Sequence, residues 1–421
     1  MIRVAHIAPV FTTGGTSAAS RIMKAQESTG IAAYMMVHEG DSRANVRFFK
    51  KSNRSSNPKN KWPARLDSIP IRACSKRKRD LPWSAGLVGC RVAKQINAQT
   101  PDIVNLHWAT SGWFSLRDLS RIKSPIVFTC HDVWPVTAGC HCNLGCDKWK
   151  QQCDRCPQLG DGLLGLDVAH FLWEKKRENY LRFRDLVLVT PSRWLAQMVR
   201  ESELFSGRRV EVIPNCLDMD IFKPGSKSES REKLNLPKER KVILFGAVNA
   251  MHTSYKGFQL LKETLEKLKA RSPMTDYHLA IFGASEIETK LPFPTSFFGN
   301  ITEENKIAEL YRSADLFVTP SRQDNFPNTV LEALFSGVPT VAFEVGGIPE
   351  MVKHKENGYI AKAFDPSDFA DGIEWCMESE ERLRSLGEKA REYAEKSFSP
   401  KIISKRYIDL YYEILSSEIK K

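Results

Sequence analysis

The sequence holds no apolar run long enough to cross a bilayer, a crossing that takes about 20 residues in a helix, so no membrane-spanning segment is expected. Its opening, Met1-Ile2-Arg3-Val4-Ala5-His6-Ile7-Ala8, lacks the basic region, apolar core and small-residue cleavage site of a secretory leader, so cytoplasmic residence is the expectation. Neither the G-x-G-x-x-G fingerprint nor the P-loop lysine motif occurs, and dehydrogenase and ATPase readings lose support with them. Internal repeats and long low-complexity tracts are also missing, which removes solenoids and propellers. What is present is a globular composition, 42% hydrophobic and 27% charged, over 421 residues. Single cores stop growing at roughly 250 to 300 residues, so two domains are expected.

The net charge of +12 is concentrated. Between positions 43 and 80 lie thirteen basic residues (Arg43, Arg47, Lys50, Lys51, Arg54, Lys59, Lys61, Arg65, Arg72, Lys76, Arg77, Lys78, Arg79) against Asp67 and Asp80, a local excess of +11. Trp62, Leu66, Ile69, Ile71, Leu81 and Trp83 are interleaved with them. Such a segment suits an anionic membrane surface, where each basic residue contributes about 1 kcal/mol. It could also attract nucleic acid, or be no more than a solvated loop.

Apolar runs rich in Val, Ile and Phe alternate with longer amphipathic stretches, the pattern of parallel strands joined by helices. Strands are expected near 2–9, 102–107, 125–130, 185–190 and 209–213, and in a second series at 241–246, 277–283, 295–299, 314–319, 338–343 and 358–361. The Pro-, Ser- and Lys-rich stretch 214–240 reads as the connection between the series, giving domains at 1–213 and 214–399. Ser399-Pro400 pairs an N-cap with a first-turn proline. Ile403, Tyr407, Leu410, Tyr411 and Ile414 then repeat at helical spacing, so 400–421 is expected to pack back as a helix on the first domain.

Chemistry concentrates after the run Asp315-Leu316-Phe317-Val318-Thr319. Asp324, Phe326, Asn328, Thr329 and Val330 fall at the carboxyl edge of that strand, where open parallel sheets bind ligands. Asn328 and Thr329 are candidate caps of the following helix, whose first N–H groups form an anion site for a diphosphate. Asp324 and Glu332 could serve sugar and ribose hydroxyls. Lys256, in Tyr255-Lys256-Gly257-Phe258, stands where a point charge can meet a departing diphosphate.

These motifs resemble the retaining glycosyltransferases of family four, with GT-B architecture: two Rossmann-like, doubly wound α/β domains facing a central cleft. The family's signature is two glutamates separated by seven residues; here Asp324 replaces the first. Gly337-Val338-Pro339, Gly346-Gly347-Ile348-Pro349-Glu350 and Glu356-Asn357-Gly358 follow the family's downstream order. The resemblance implies that Glu332 holds the ribose, Asn328 to Val330 cradle the phosphates and Lys256 meets the diphosphate. The family arginine after the strand glycine is Ala247 here.

In the first half, Gly14-Gly15 resembles the family's N-terminal glycine loop, and glycine lets a phosphate or sugar approach the backbone closely. His131, after the strand ending at Cys130, matches the histidine that family members place beside the donor sugar. His107 and Trp108 are read as an acceptor wall. Five cysteines crowd into 140–156; in a reducing compartment they are not a disulfide framework, and Cys153-x-x-Cys156 has the bite of a zinc knuckle, which Cys146 with either Cys140 or Cys142 could complete as a four-cysteine site. A related bacterial polysaccharide branch carries a loop spaced C-x5-C-x6-C-x2-C, which selects Cys140, Cys146, Cys153 and Cys156 as a structural zinc set. Free or redox-active thiols are the alternative.

The resemblance thus implies a metal-independent transfer that keeps the donor's anomeric configuration, from a nucleotide sugar to a saccharide acceptor, with no cofactor beyond a structural zinc. The basic segment adds the expectation of a lipid-linked acceptor at the inner membrane face, as in assembly of surface polysaccharides such as lipopolysaccharide and exopolysaccharide. The competing class is a nucleic-acid-binding protein built on residues 43–80 and a zinc knuckle. It leaves the Asp324 to Glu332 motif without a role.

Overall fold

Strands buried on both faces read as unbroken apolar runs, and they are stable only in a parallel sheet covered by helices on each side. The computed structural model has this organisation twice. It describes residues 1–11, 18–40, 45–49, 62–108, 110, 112–162, 165–183, 185–246, 253–274, 276–284 and 290–418. The chain divides into two units, Met1–Pro214 with Ile403–Lys421, and Asn215–Ile402.

In spatial order the first sheet runs Val46–Phe48, Ala32–Val37, Arg3–Ile7, Ile103–Leu106, Ile126–Thr129, Leu186–Thr190, Val210–Val212, all parallel. The second runs Thr295–Phe297, Tyr277–Phe282, Lys241–Gly246, Leu316–Thr319, Thr340–Phe343, Gly358–Ala361, also parallel. Each therefore starts in its middle and grows outward in both directions, the Rossmann-like order, and each has its switch point beside its first strand. Two strands of the first sheet, Ala32–Val37 and Val46–Phe48, fall outside the expected series.

Register settles which side chains share a face. His6 pairs with Asn105, and Asn105 with Val127. With a side-chain period of two, His6, Asn105 and Thr129 lie on one face; Ala5, Ile7, Val104, Leu106, Ile126 and Phe128 lie on the other and form the main core of the unit. The polar face is covered by the terminal helix Pro400–Glu418. Ile403, Tyr407 and Tyr411 on it are fully buried, and the tyrosine hydroxyls meet polar groups beneath: Tyr411 Oη accepts from Gln26 Nε2 at 3.1 Å and Asn105 Nδ2 at 2.9 Å. In the second sheet both faces are apolar, Val242, Leu244 and Phe317 toward one cluster, Ile243, Phe245, Leu316 and Val318 toward another.

Candidate active site

In the second unit two loops leave the sheet on either side of its switch point. One follows Lys241–Gly246 and ends in the turn Ser254–Lys256 and helix Phe258–Arg271; the other follows Leu316–Thr319 and leads into helix Asn328–Phe335. They are tied together at three points. Lys256 Nζ donates to Asp324 Oδ2 at 2.8 Å, both side chains being largely but not fully covered (24% and 16% exposed). The Arg322 N–H donates to the Tyr255 carbonyl at 2.7 Å. Gly257, at φ +73, lies so close to Pro320 that a Cβ would stand 1.8 Å from its carbonyl oxygen. Asp324 is gripped from behind as well: its carbonyl accepts from Gly347 N–H at 3.0 Å, and a Cβ on Gly346, at φ +58, would meet the same oxygen at 1.8 Å. The lysine and the aspartate, read separately in the sequence, are thus one ion pair held between six loop residues.

The helix start beside them differs from expectation in detail. Pro327 is the N-cap and provides no side-chain bond, so Asn328 and Thr329 are the first helical residues rather than caps. Asn328 is steadied by Asn215, Nδ2 to Oδ1 at 3.4 Å. Val330 is fully buried and its N–H is taken by Pro327 O at 3.1 Å, which narrows the expected phosphate cradle to Asn328 and Thr329. The Phe326 ring is spent in the core, edge-on to Phe398 at 5.3 Å, because the loop must bury one large apolar group to stay on the sheet. Glu332 is buried on the helix and accepts from Tyr311 Oη at 3.2 Å; its carboxylate is already engaged within the unit. Ala247 lies outside the described residues.

In the first unit, His131 follows Ile126–Thr129 and is partly covered, with Trp108 stacked on it at 5.6 Å and 13°. His107, read as a wall of an acceptor pocket, is 1% exposed; it lies between His6 and His131, with ring nitrogens 3.0 and 2.9 Å away. Burial pushes His6 and His131 down to about 4 and His107 well below the usual histidine range, so all three are uncharged at neutral pH. The sequence reading passed over His6, whose signal was a histidine inside an apolar strand, and the role of His141. That ring bridges Asp132 Oδ2 (2.6 Å) and Ser84 Oγ (2.9 Å), and Ser84 is itself buried. Gly14 and Gly15 lie outside the described residues.

The cysteine-rich loop folds around a cavity of about 20 Å3 that Cys140, Cys146, Cys153 and Cys156 all line, with Trp83 and Trp149. Cys142 is not among its lining residues. Burial raises the Cys140 and Cys156 thiols and pushes Cys153 up to about 12. Among the described residues no three His, Cys, Asp or Glu side chains are arranged to hold a metal ion. The donor chemistry suits zinc; the spacing, as it stands, does not close a ligand set. Buried Lys176 pins the preceding turn by donating to Thr137 O at 2.8 Å and to Trp134 O, its ammonium lowered to about 7 chiefly by burial.

A family model of glycosyl transferases group 1 matches residues 226–393, and one of glycosyltransferase family 4 matches residues 21–221. A D-inositol 3-phosphate glycosyltransferase of Catenulispora acidiphila is 30% identical over 203 residues, 44% of this chain and 46% of that one. A putative colanic acid biosynthesis glycosyl transferase of Escherichia coli is 26% identical over 269 residues, 58% of this chain and 60% of its own. The chain spans about half the length of the curated relatives it matches. Among solved structures, a sucrose-phosphate synthase from Thermosynechococcus elongatus superposes with a TM-score of 0.69 at 16% identity, over 99% of this chain and 100% of that one, a likeness of fold.

The clamp is testable by stability. Gly257→Ala and Gly346→Ala combine a positive φ, worth roughly 1–3 kcal/mol of strain for a non-glycine residue, with a backbone collision. Gly30→Ala, at φ +83 with nothing within 4 Å of a new Cβ, incurs only the strain. In urea unfolding the first two are expected to lose clearly more stability than the third; equal losses would show that the loops are not closed against each other.

Proposed function

The chain belongs to family 4 of the glycosyltransferases, and from that premise we propose that it moves a sugar from a nucleotide donor to a saccharide acceptor, with retention of the anomeric configuration. The observation that carries the reading is the Lys256–Asp324 pair at the carboxyl edge of the second sheet's switch point. In the free protein the ammonium is neutralised by its partner. A nucleoside diphosphate brings more negative charge than one carboxylate, and the start of helix Asn328–Phe335 adds a favourable dipole end. Lys256 then exchanges Asp324 for a diphosphate oxygen, and the released carboxylate is available to accept hydrogen bonds from hydroxyls of the donor sugar. As the glycosidic bond to the diphosphate breaks, charge develops on the leaving oxygen, and Lys256 with the Asn328 and Thr329 amides stabilises it. In the first unit His131 meets a sugar hydroxyl and Trp108 offers an aromatic face to a sugar ring.

The attacking hydroxyl of the acceptor gives its proton to a phosphate oxygen as that diphosphate departs, so neither a paired acid and base nor a divalent ion is required. Lys256→Ala is expected to lower turnover roughly 10²- to 10³-fold, the effect of removing one charge-stabilising donor, with added Mg2+ or Mn2+ making little difference to the parent enzyme. Nucleotide-sugar turnover assays check this; full turnover in Lys256→Ala would overturn the assignment.

The acceptor is proposed to be lipid-linked, in surface polysaccharide assembly on the inner face of the membrane. Support comes from the stretch after residue 61. Trp62, Leu66 and Ile69 are 50%, 42% and 55% exposed on two consecutive short helices, Trp62–Asp67 and Ile69–Arg72, at the spacing of four and three that places residues on one side of a helical stretch. Arg65, Arg72, Lys76, Lys78 and Arg79, within or just after this stretch in sequence, are exposed as well. The stretch is held in place: buried Asp67 accepts from the N–H groups of Gly86, Leu87 and Val88 at 2.8 to 3.1 Å. Exposed apolar side chains among exposed basic ones suit docking onto anionic lipid; among the described residues no helix is long and apolar enough to cross a membrane.

Two measurements accompany these readings. Sedimentation with phosphatidylglycerol vesicles is expected to capture the protein at low salt, with phosphatidylcholine vesicles capturing far less and Trp62→Ser/Leu66→Ser/Ile69→Ser losing most of the binding; a parent protein indifferent to anionic lipid would remove the membrane reading. A structural zinc on Cys140, Cys146, Cys153 and Cys156 is supported by the one cavity they share. Metal analysis is expected to find one zinc per chain, absent in Cys153→Ser/Cys156→Ser, whereas zinc-free parent protein would leave the cluster as thiols.

A further inference from the structure

Three histidines stand in series beneath the carboxyl edge of the first sheet. His6 Nε2 meets Gln26 Oε1 at 3.0 Å, His6 Nδ1 meets His107 Nε2 at 3.0 Å, and His107 Nδ1 meets His131 Nε2 at 2.9 Å. Successive rings are tilted by only 15° and 22°. Gln26, His6 and His107 are buried. A neutral imidazole has one donor nitrogen and one acceptor nitrogen, and burial keeps all three rings neutral. Every ring-to-ring contact needs one of each, so the tautomers lock in order, and whatever orients the first fixes the last.

The orienting group is the Gln26 amide. Its Nε2 donates to Tyr411 Oη at 3.1 Å, which leaves Oε1 to accept from His6 Nε2–H. Tyr411 is itself placed by Asn105 Nδ2 at 2.9 Å, and Asn105 is held in turn by Thr129, whose Oγ1 donates to its Oδ1 at 2.8 Å. Following the order outward, His107 donates from Nε2 to His6 Nδ1, and His131 donates from Nε2 to His107 Nδ1. His131 is then the tautomer whose Nδ1 carries the lone pair.

We propose that Gln26, held by Tyr411 of the terminal helix, is a positioning residue that sets the tautomer of His131 through His6 and His107. The effect on turnover rests on the reading of His131 under the proposed function; the tautomer order does not. A helix from the end of the chain thereby decides the hydrogen-bonding sense of a group that sits after the fifth strand of the sheet.

Ring 15N spectra of histidine-labelled protein, recorded at neutral pH without substrate, read the order directly. His131, His107 and His6 are each expected with Nε2 protonated and Nδ1 bare. Gln26→Met removes the acceptor, and is expected to mix the tautomers of all three and to lower kcat about tenfold, the lower range for partners that orient a functional histidine, with KM moving less. Gln26→Glu keeps an oxygen toward His6 and is expected to restore the order and most of the turnover. Should Gln26→Met fail to fold, Tyr411→Phe removes only the hydroxyl that holds the amide and is expected to shift the same signals. A parent protein with Nδ1–H on His131, or ring signals that ignore both variants, would overturn the relay. Tautomers that follow the order in a protein without transferase activity would uphold the relay and reject the functional reading instead.

Discussion

An ammonium and a carboxylate held 2.8 Å apart at the edge of a parallel sheet constrain nearly everything around them. Two charges that are three-quarters or more covered are costly unless each has its partner in good geometry, so the loops bearing them have to be fixed closely. That requirement accounts for glycine at 257 and at 346, the two places where a side chain would strike the opposing loop at 1.8 Å. It accounts as well for the Gly347 N–H on the Asp324 carbonyl and the Arg322 N–H on that of Tyr255. The site at rest is close to neutral, and a polyanion competes for the lysine rather than meeting a bare cation. In the proposed function a ligand therefore has to displace Asp324 from Lys256, which favours a diphosphate over a single carboxylate.

The first unit solves a different problem. Its central strands carry His6, Asn105 and Thr129 on one face, and a polar face cannot be buried under an apolar helix without loss of hydrogen bonds. The terminal helix answers with tyrosines at 407 and 411, whose hydroxyls reach Thr129, Gln26 and Asn105. Coupling between the end of the chain and the histidines is a by-product of satisfying that face. Polar networks of this kind specify one arrangement when every member is paired.

Much of the fold was legible because its strands are dense in Val, Ile, Leu and Phe, as in Lys241–Gly246 and Leu186–Thr190. Ala32–Val37 was missed since Ala-Ala-Tyr-Met-Met-Val has a single β-branched residue, and Val46–Phe48 is a three-residue strand on the sheet edge amid basic residues. Motif order along the chain located the Asp324 and Lys256 loops but carried no information on side-chain direction. Hence Phe326 and Val330 turned into the core, Glu332 found Tyr311, and two assigned roles proved to be one ion pair. The histidine series was beyond sequence reasoning for a plainer reason: its members are 20, 101 and 24 positions apart, and the tyrosine behind them is 385 from Gln26. The usable hint was polar residues recurring at period two, Asn105 with His107 and Thr129 with His131, at the ends of otherwise apolar strands.

The exchange of partners at Lys256 is open to direct inspection in a crystal structure of the protein soaked or grown with a nucleoside diphosphate. The account predicts a diphosphate oxygen within ion-pair distance of Lys256 Nζ, at the start of helix Asn328–Phe335, with Asp324 released from the lysine. A diphosphate bound elsewhere while the Lys256–Asp324 pair stays closed would contradict it.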